Sequence, residues 1–256
     1  MTKGFTPPYS VSGRSALVPD PPWHYAGRVI SMEARVDPDA AASFLPATMG
    51  AATGRAFGHW CEWQATTDGR ELLDPAYALY NEFFLLLEAE RDGAPALYCP
   101  FIYVDQDIAL VRGQLQGWPK KLGSVNIAKS FAVDHPAAAP IRAGTRMGAS
   151  VAVKDRRIAE AEWTYTGEAG ARMGFLEIPT YGEVGHPTLI GGPDRGEPRL
   201  VRQDVSATAI GDLHAIDCGL RTYPSPNDEL ADLAPQATGA GSVCDFALTV
   251  VGVRDD

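Results

Sequence analysis

The sequence predicts one α+β domain built on an antiparallel sheet or barrel, and three observations predict it. Strand-like segments are short and numerous, whereas helical ones are few. The 256 residues include 26 glycines and 20 prolines, a density of chain breakers that argues against a helical bundle. No internal repeat and no long linker divides the chain, so it reads as one domain over residues 1–256 with an N-terminal arm over 1–21.

The elements follow in order. Residues 1–22 hold Pro7, Pro8, Pro19, Pro21 and Pro22, which exclude a helix there. Residues 28–36 alternate roughly between apolar and polar and read as a strand. Residues 37–45 open on Asp37-Pro38-Asp39 and end before Pro46, the pattern of a capped helix with proline in its first turn. Residues 57–66 and 77–88 read as strands, the second apolar enough to be buried on both faces, and 96–104 as another. Residues 108–115 fit either a short helix or an extended segment, broken by Gly117-Trp118-Pro119. Further strands are expected over 124–131, 149–154, 157–166, 175–178, 201–209 and 246–253, with a capped helix over 227–233 and a surface loop over 191–198.

The charge balance, 22 Lys and Arg against 32 Asp and Glu, argues against binding to a nucleic-acid backbone. It leaves room for a small anionic ligand, because a few local cations dominate a pocket whatever the total. Cys61, Cys99, Cys218 and Cys244 are scattered, and the five histidines show no metal-ligand spacing; reduced thiols and no metal are expected. The N-terminus lacks an apolar signal core and no apolar run is long enough for a membrane span, so a cytoplasmic protein is expected.

The most unusual local feature is Gln114-Leu115-Gln116-Gly117-Trp118-Pro119-Lys120-Lys121-Leu122-Gly123. The plain reading is a solvated lysine pair after a turn. The functional one is a Schiff-base lysine, since an amine becomes a nucleophile only when neutral, and a neighbouring ammonium or a dry pocket favours the neutral form. Glu82 sits in an apolar strand, where an unpaired carboxylate is costly; it is either a structural ion pair or a partner of that lysine cluster.

Several segments together resemble the acetoacetate decarboxylase family. They are Pro22-Trp23-His24-Tyr25-Ala26-Gly27-Arg28, Arg35-Val36-Asp37-Pro38-Asp39-Ala40 with Leu45-Pro46, and Tyr80-Asn81-Glu82. To these add the Trp118-Pro119-Lys120-Lys121-Leu122-Gly123 signature, Ile178-Pro179-Thr180-Tyr181, and the segment from Pro224 to Pro235. The resemblance implies a cone-like antiparallel β-barrel with flanking helices, a homo-oligomer and chemistry without metal or organic cofactor. It implies Lys120 as the Schiff-base lysine, Lys121 as its electrostatic neighbour and Glu82 at the reacting centre, with Arg28 and Glu62 in the same polar cluster. Gln114, Gln116 and Trp118 are expected beside the substrate, where a glutamine amide can donate a hydrogen bond to its carboxylate or carbonyl. Where decarboxylases of this family usually carry a glutamate, this chain has Gln114, the mark of a divergent branch. The first expectation is decarboxylation of a 3-oxo acid through a Lys120 iminium; the alternative is aldol condensation and dehydration of pyruvate, or a similar 2-oxo acid, with an aldehyde. A ligand-binding barrel without chemistry is the third.

Overall fold

The computed structural model describes residues 1–185 and 198–255. Its framework is one continuous twelve-stranded sheet. The first strands are β1 (Trp23–Arg35), β2 (Ala52–Thr66), β3 (Leu79–Arg91) and β4 (Ala94–Val104). Next come β5 (Lys120–Leu122), β6 (Ser124–Ile127), β7 (Arg146–Val153) and β8 (Arg156–Ala169). The last are β9 (Thr180–Val184), β10 (Arg199–Ile210), β11 (His214–Thr222) and β12 (Gln236–Asp255). Strands β1-β2-β3-β4-β9-β10-β12 form a ring that closes where β12 pairs with β1, and β11-β8-β7-β6 extend from β12 as a second layer.

The pairings are antiparallel except at one place, where β4 runs parallel to both β5 and β9. The helical content is also smaller than expected. The α-helices are α1 (Pro38–Ala42), α2 (Pro75–Ala78) and α3 (Asp107–Leu115), so the molecule is mostly β. Asp37 caps α1 as the sequence predicts, accepting bonds from the amides of Asp39 at 2.9 Å and Ala40 at 3.0 Å. Residues 175–178, expected as a strand, instead hold the end of the 3-10 turn Gly174–Leu176, which starts from a left-handed Gly174, and the bend that follows it. Residues 227–233 yield only the 3-10 turn Leu230–Leu233. The loop expected over 191–198 lies, but for Pro198, outside the described residues.

Strand alternation sorts the apolar residues into two cores. Ile30, Met32, Trp60, Phe83, Leu85 and Tyr103 face the second layer, where Val151, Ile158 and Trp163 meet them. Val29, Phe57, Cys61, Trp63, Tyr80, Phe84 and Leu86 face the inside of the ring. On β4 the parity changes partway, because Leu85 pairs with Phe101 and Leu87 with Tyr98, leaving an extra residue on β4 between them. That bulge lets Cys99 and Ile102 both face inward, and it accommodates Pro100 within a strand. All four cysteines are buried and unpaired. No helix among the described residues is long and apolar enough to cross a membrane.

Candidate active site

The site is built where α3 turns back into the sheet. Gly117, at φ +87°, ends α3: its amide bonds to the Gln114 carbonyl at 3.2 Å and that of Trp118 to the Gly113 carbonyl at 3.0 Å. This is a Schellman closure, and Pro119 then prevents the helix from resuming. The chain continues as β5 beside β4, with Lys120 opposite Ile102 and Lys121 opposite Tyr103. Ile102 faces into the ring and Tyr103 faces the second layer, so the two lysines point to opposite faces of the sheet.

Lys120 is 8% exposed, and its Nζ donates to Glu82 Oε2 at 2.8 Å. The other oxygen of Glu82 accepts from Trp63 Nε1 at 2.7 Å. The carboxylate is thereby fixed from both sides, as a buried charge must be. The aliphatic stem of Lys120 lies across Gly113, where an added Cβ would sit 2.3 Å from Lys120 Cδ. Gly113 therefore leaves the space in which the Lys120 side chain lies.

Lys120 opens into a cavity of about 400 Å³ inside the ring. Its polar inner wall carries Glu82, Tyr25, Tyr80, Trp63, Arg112 and Gln116, and its apolar walls include Phe84, Leu86, Phe175, Phe246 and Trp118. Arg112 is 4% exposed and its guanidinium lies 4.9 Å from the Tyr25 ring centre and 5.8 Å from that of Tyr80. Its Nη2 is buried without a hydrogen-bond partner. Burial raises the hydroxyl pKa of Tyr25, and raises that of Tyr80 further with help from the Glu82 charge, so both remain neutral donors. Gln116 Nε2 donates to the Arg112 carbonyl at 2.9 Å, and Gln116 Oε1 accepts from Gln203 at 2.7 Å, tying α3 to β10.

The structure brings together Lys120, Glu82, Gln116 and Trp118 among the residues singled out in the sequence. Four others stand elsewhere. Lys121 pairs with Asp228 at 2.9 Å on the opposite face, because neighbours on a strand cannot share one. Arg28 bonds Asp245 at 3.0 Å and Glu62 bonds Lys129 at 2.8 Å; both line a separate open cleft behind Trp63, Tyr80 and Phe246. Gln114, on the outward side of α3, donates to the Lys120 carbonyl at 3.2 Å and supports the strand instead of facing the cavity. The second cation of the cavity's inner wall is Arg112, which reads in the sequence as an ordinary charge on a short helix. Gly113, a glycine within a helical window, is the one signal that could have marked this place.

A lysine amine hydrogen-bonded to a carboxylate, with a buried guanidinium in the same apolar cavity, defines a site suited to imine chemistry on a small carboxylate-bearing carbonyl compound. The family model of acetoacetate decarboxylase matches residues 6–255, and the chain belongs to that family. The enduracididine biosynthesis enzyme MppR, solved in complex with pyruvate, is similar over 100% of this chain and 98% of its own, at 31% identity and a TM-score of 0.90. It has also been solved with the condensation product of pyruvate and imidazole 4-carboxaldehyde. An acetoacetate decarboxylase-like enzyme from Sphingomonas wittichii RW1 aligns over 99% of this chain and 100% of its own, at 24% identity and a TM-score of 0.89. No match is found among curated protein sequences.

Proposed function

We propose that the protein is a carbon–carbon lyase in which Lys120 forms a Schiff base with pyruvate or a similar 2-oxo acid, condenses it with an aldehyde and eliminates water. The observation that carries this reading is Arg112: a buried cation with a free Nη2 in the cavity of Lys120 is placed to keep a substrate carboxylate. The complexes of MppR with pyruvate and with a pyruvate condensation product support the same choice.

Each step has an assigned group. Lys120 passes its proton to Glu82 across their 2.8 Å hydrogen bond, and the neutral amine attacks C2 of the oxo acid. The Glu82 carboxyl returns a proton to the departing hydroxyl, water leaves and an iminium forms. Glu82, again a carboxylate, removes a proton from C3 to give the enamine. The enamine attacks the aldehyde carbon, and the new alkoxide takes up the proton. Loss of water across the new bond and hydrolysis of the iminium release an unsaturated 2-oxo acid and regenerate the amine. The electron sink is the iminium itself, so these steps use the protein's own lysine. Trp63 holds Glu82 in place, and Tyr80 and Tyr25 offer hydroxyls to the oxygen atoms that change charge.

Decarboxylation of a 3-oxo acid through the same iminium is the second reading. The family match supports it, as does a carboxylate beside the imine nitrogen, which destabilises a substrate carboxylate placed against it. Absorbance of a conjugated 2-oxo acid grows from pyruvate plus an aldehyde in the first case, and CO₂ is released from a 3-oxo acid in the second. Arg112→Gln is expected to lower kcat/KM for pyruvate about a hundredfold, the cost of a lost charge-assisted pair. CO₂ release without condensation would transfer the proposal to the second reading, and neither activity would favour the non-catalytic barrel. The proposal extends to residues 1–256 acting as one domain, to a cytoplasmic location and to a homo-oligomer, which light scattering of the purified chain tests.

A further inference from the structure

On β3 the side chains that line the cavity are Tyr80, Glu82, Phe84 and Leu86, every second residue and so about 7 Å apart. Glu82 is a boundary among them. On its Tyr80 side stands Arg112, 5.8 Å from the Tyr80 ring centre and 4.9 Å from that of Tyr25. On its other side this strand offers only Phe84 and Leu86. Facing them is the segment between β8 and β9, whose 3-10 turn Gly174–Leu176 sets the Phe175 ring 5.6 Å from Phe84 and 5.7 Å from Phe246. Phe246 in turn lies 6.5 Å from Trp63, which donates to Glu82. An aromatic wall thus runs from Phe84 to the group that holds the Glu82 carboxylate. The position of Phe175 is fixed by Gly174, whose carbonyl accepts from the amides of Glu177 at 3.0 Å and Ile178 at 2.9 Å. A Cβ on Gly174 would sit 2.2 Å from His59 Nε2, so the glycine lets the turn rest on the imidazole. His59 lies 4.9 Å from the ring centres of both Phe84 and Phe175, and burial keeps it neutral, so the wall has no charge behind it at neutral pH.

From this arrangement we infer that the second reactant, the aldehyde that the Lys120 enamine attacks, carries an uncharged apolar group seated against Phe84, Leu86 and Phe175, and that Phe175 sets the size that fits. The inference rests on the proposed condensation and names the class of acceptor it takes. The charged groups buried in this cavity are Lys120, Glu82 and Arg112. Lys120 and Glu82 neutralise each other, and Arg112 takes the carboxylate of the oxo acid. A charge on the acceptor would therefore lose its water and meet no counter-ion. The charged residues at the rim are directed elsewhere. Glu177 and Arg254 are exposed to solvent, and Arg202, opposite Arg254 in register, lies 5.4 Å over Tyr181 in the separate cluster of Tyr181, Ala89 and Ala96. Apolar and aromatic surface, by contrast, gains from covering the wall, and rings pack on it edge-on or offset. Phe175 is the member of the wall that stands on a turn and not on a strand, so its side chain bounds the seat without carrying the ring of strands.

The test is condensation with saturating pyruvate of aldehydes whose far ends differ while the carbonyl stays alike, followed by the absorbance of the conjugated product. Hexanal is compared with 6-oxohexanoate, which ends in a carboxylate, and with 6-oxohexyl-trimethylammonium, which ends in a cation. Hexanal is expected to have a kcat/KM about tenfold or more above both charged aldehydes. Biphenyl-4-carbaldehyde then measures the seat. Its kcat/KM relative to hexanal is expected to rise about tenfold in Phe175→Ala and by less in Phe175→Leu, which keeps an apolar side chain and guards against a variant that fails to fold. A general loss of stability would lower both aldehydes together and leave this ratio unmoved. A charged aldehyde used as well as hexanal would overturn the assigned class, and a biphenyl-to-hexanal ratio unchanged in both variants would overturn the role of Phe175. Borohydride trapping with pyruvate alone runs alongside. A Lys120 adduct together with either of those results defeats this inference and leaves the imine reading standing, whereas the absence of the adduct defeats the imine reading and the inference with it.

Discussion

Lys120 and Lys121 are adjacent in sequence and belong to different parts of the molecule. Lys120 is 8% exposed, faces the interior of the ring and meets Glu82, whose other oxygen is held by Trp63. Lys121 is half exposed on the other face and meets Asp228, which also accepts from the Tyr103 hydroxyl at 2.7 Å and the Leu230 amide at 3.1 Å. One pair borders a cavity in which a substrate carbon can approach the amine. The other clamps the 3-10 turn Leu230–Leu233 to the back of β4 and β5. A single residue type thus borders a cavity or clamps a turn according to which face of a three-residue strand it occupies.

The two lysines should differ most in what their loss costs. Lys120→Ala is expected to reduce turnover to the level without enzyme while the chain stays folded, because it removes the proposed nucleophile and no other lysine among the described residues lines the cavity. Steady-state assays with circular dichroism as a control for folding read this. Gly113→Ala comes next: the added methyl would occupy the place of Lys120 Cδ and move the amine away from Glu82. A displacement of that order is expected to cost about a hundredfold in kcat with a smaller change in binding.

The interior face also stores a pH dependence. His59 is fully buried on β2, stacked 4.9 Å from Phe84, and its pKa is lowered by burial to about 3. The unfolded chain binds a proton near the ordinary value of 6.5 and the folded chain does not, so stability is whole above that pH and lost as pH falls towards 3. Between pH 6.5 and pH 4 this amounts to about 3 kcal/mol. His59→Phe should flatten that part of the urea-denaturation profile; an unchanged slope would mean that His59 takes up a proton in the folded state. The smallest effect is expected from Lys121→Met. Asp228 keeps its two other donors, so stability should fall by about 1–2 kcal/mol in denaturant titration and kcat/KM by less than about threefold.

Much of this fold is legible in the sequence where local and tertiary signals agree. The Asp37-Pro38 start of α1 and the apolar run of β3 are read directly. They fail to agree in β12, whose Gly- and Ala-rich first half has little intrinsic strand preference and is held in the sheet by pairing with β1 and β11. The polar strand β11 and the two-sided turn at Gly174 are hidden for the same reason. At the site, Lys120 and Glu82 are visible because a lysine pair after a break and a carboxylate in an apolar strand are both locally costly. Arg112 is not, since its burial against Tyr25 and Tyr80 comes from packing across the ring. The placement of Lys121 follows from the strand geometry of β5, which three residues without apolar alternation do not announce.

The central claim is that the inward lysine alone carries the chemistry. It is tested most directly by incubating the wild-type protein with pyruvate and borohydride and mapping the reduced adduct by peptide mass spectrometry. Stoichiometric modification of Lys120 and none of Lys121 is expected; an adduct on Lys121, or a protein left unmodified by pyruvate and by 3-oxo acids alike, would contradict this role for Lys120.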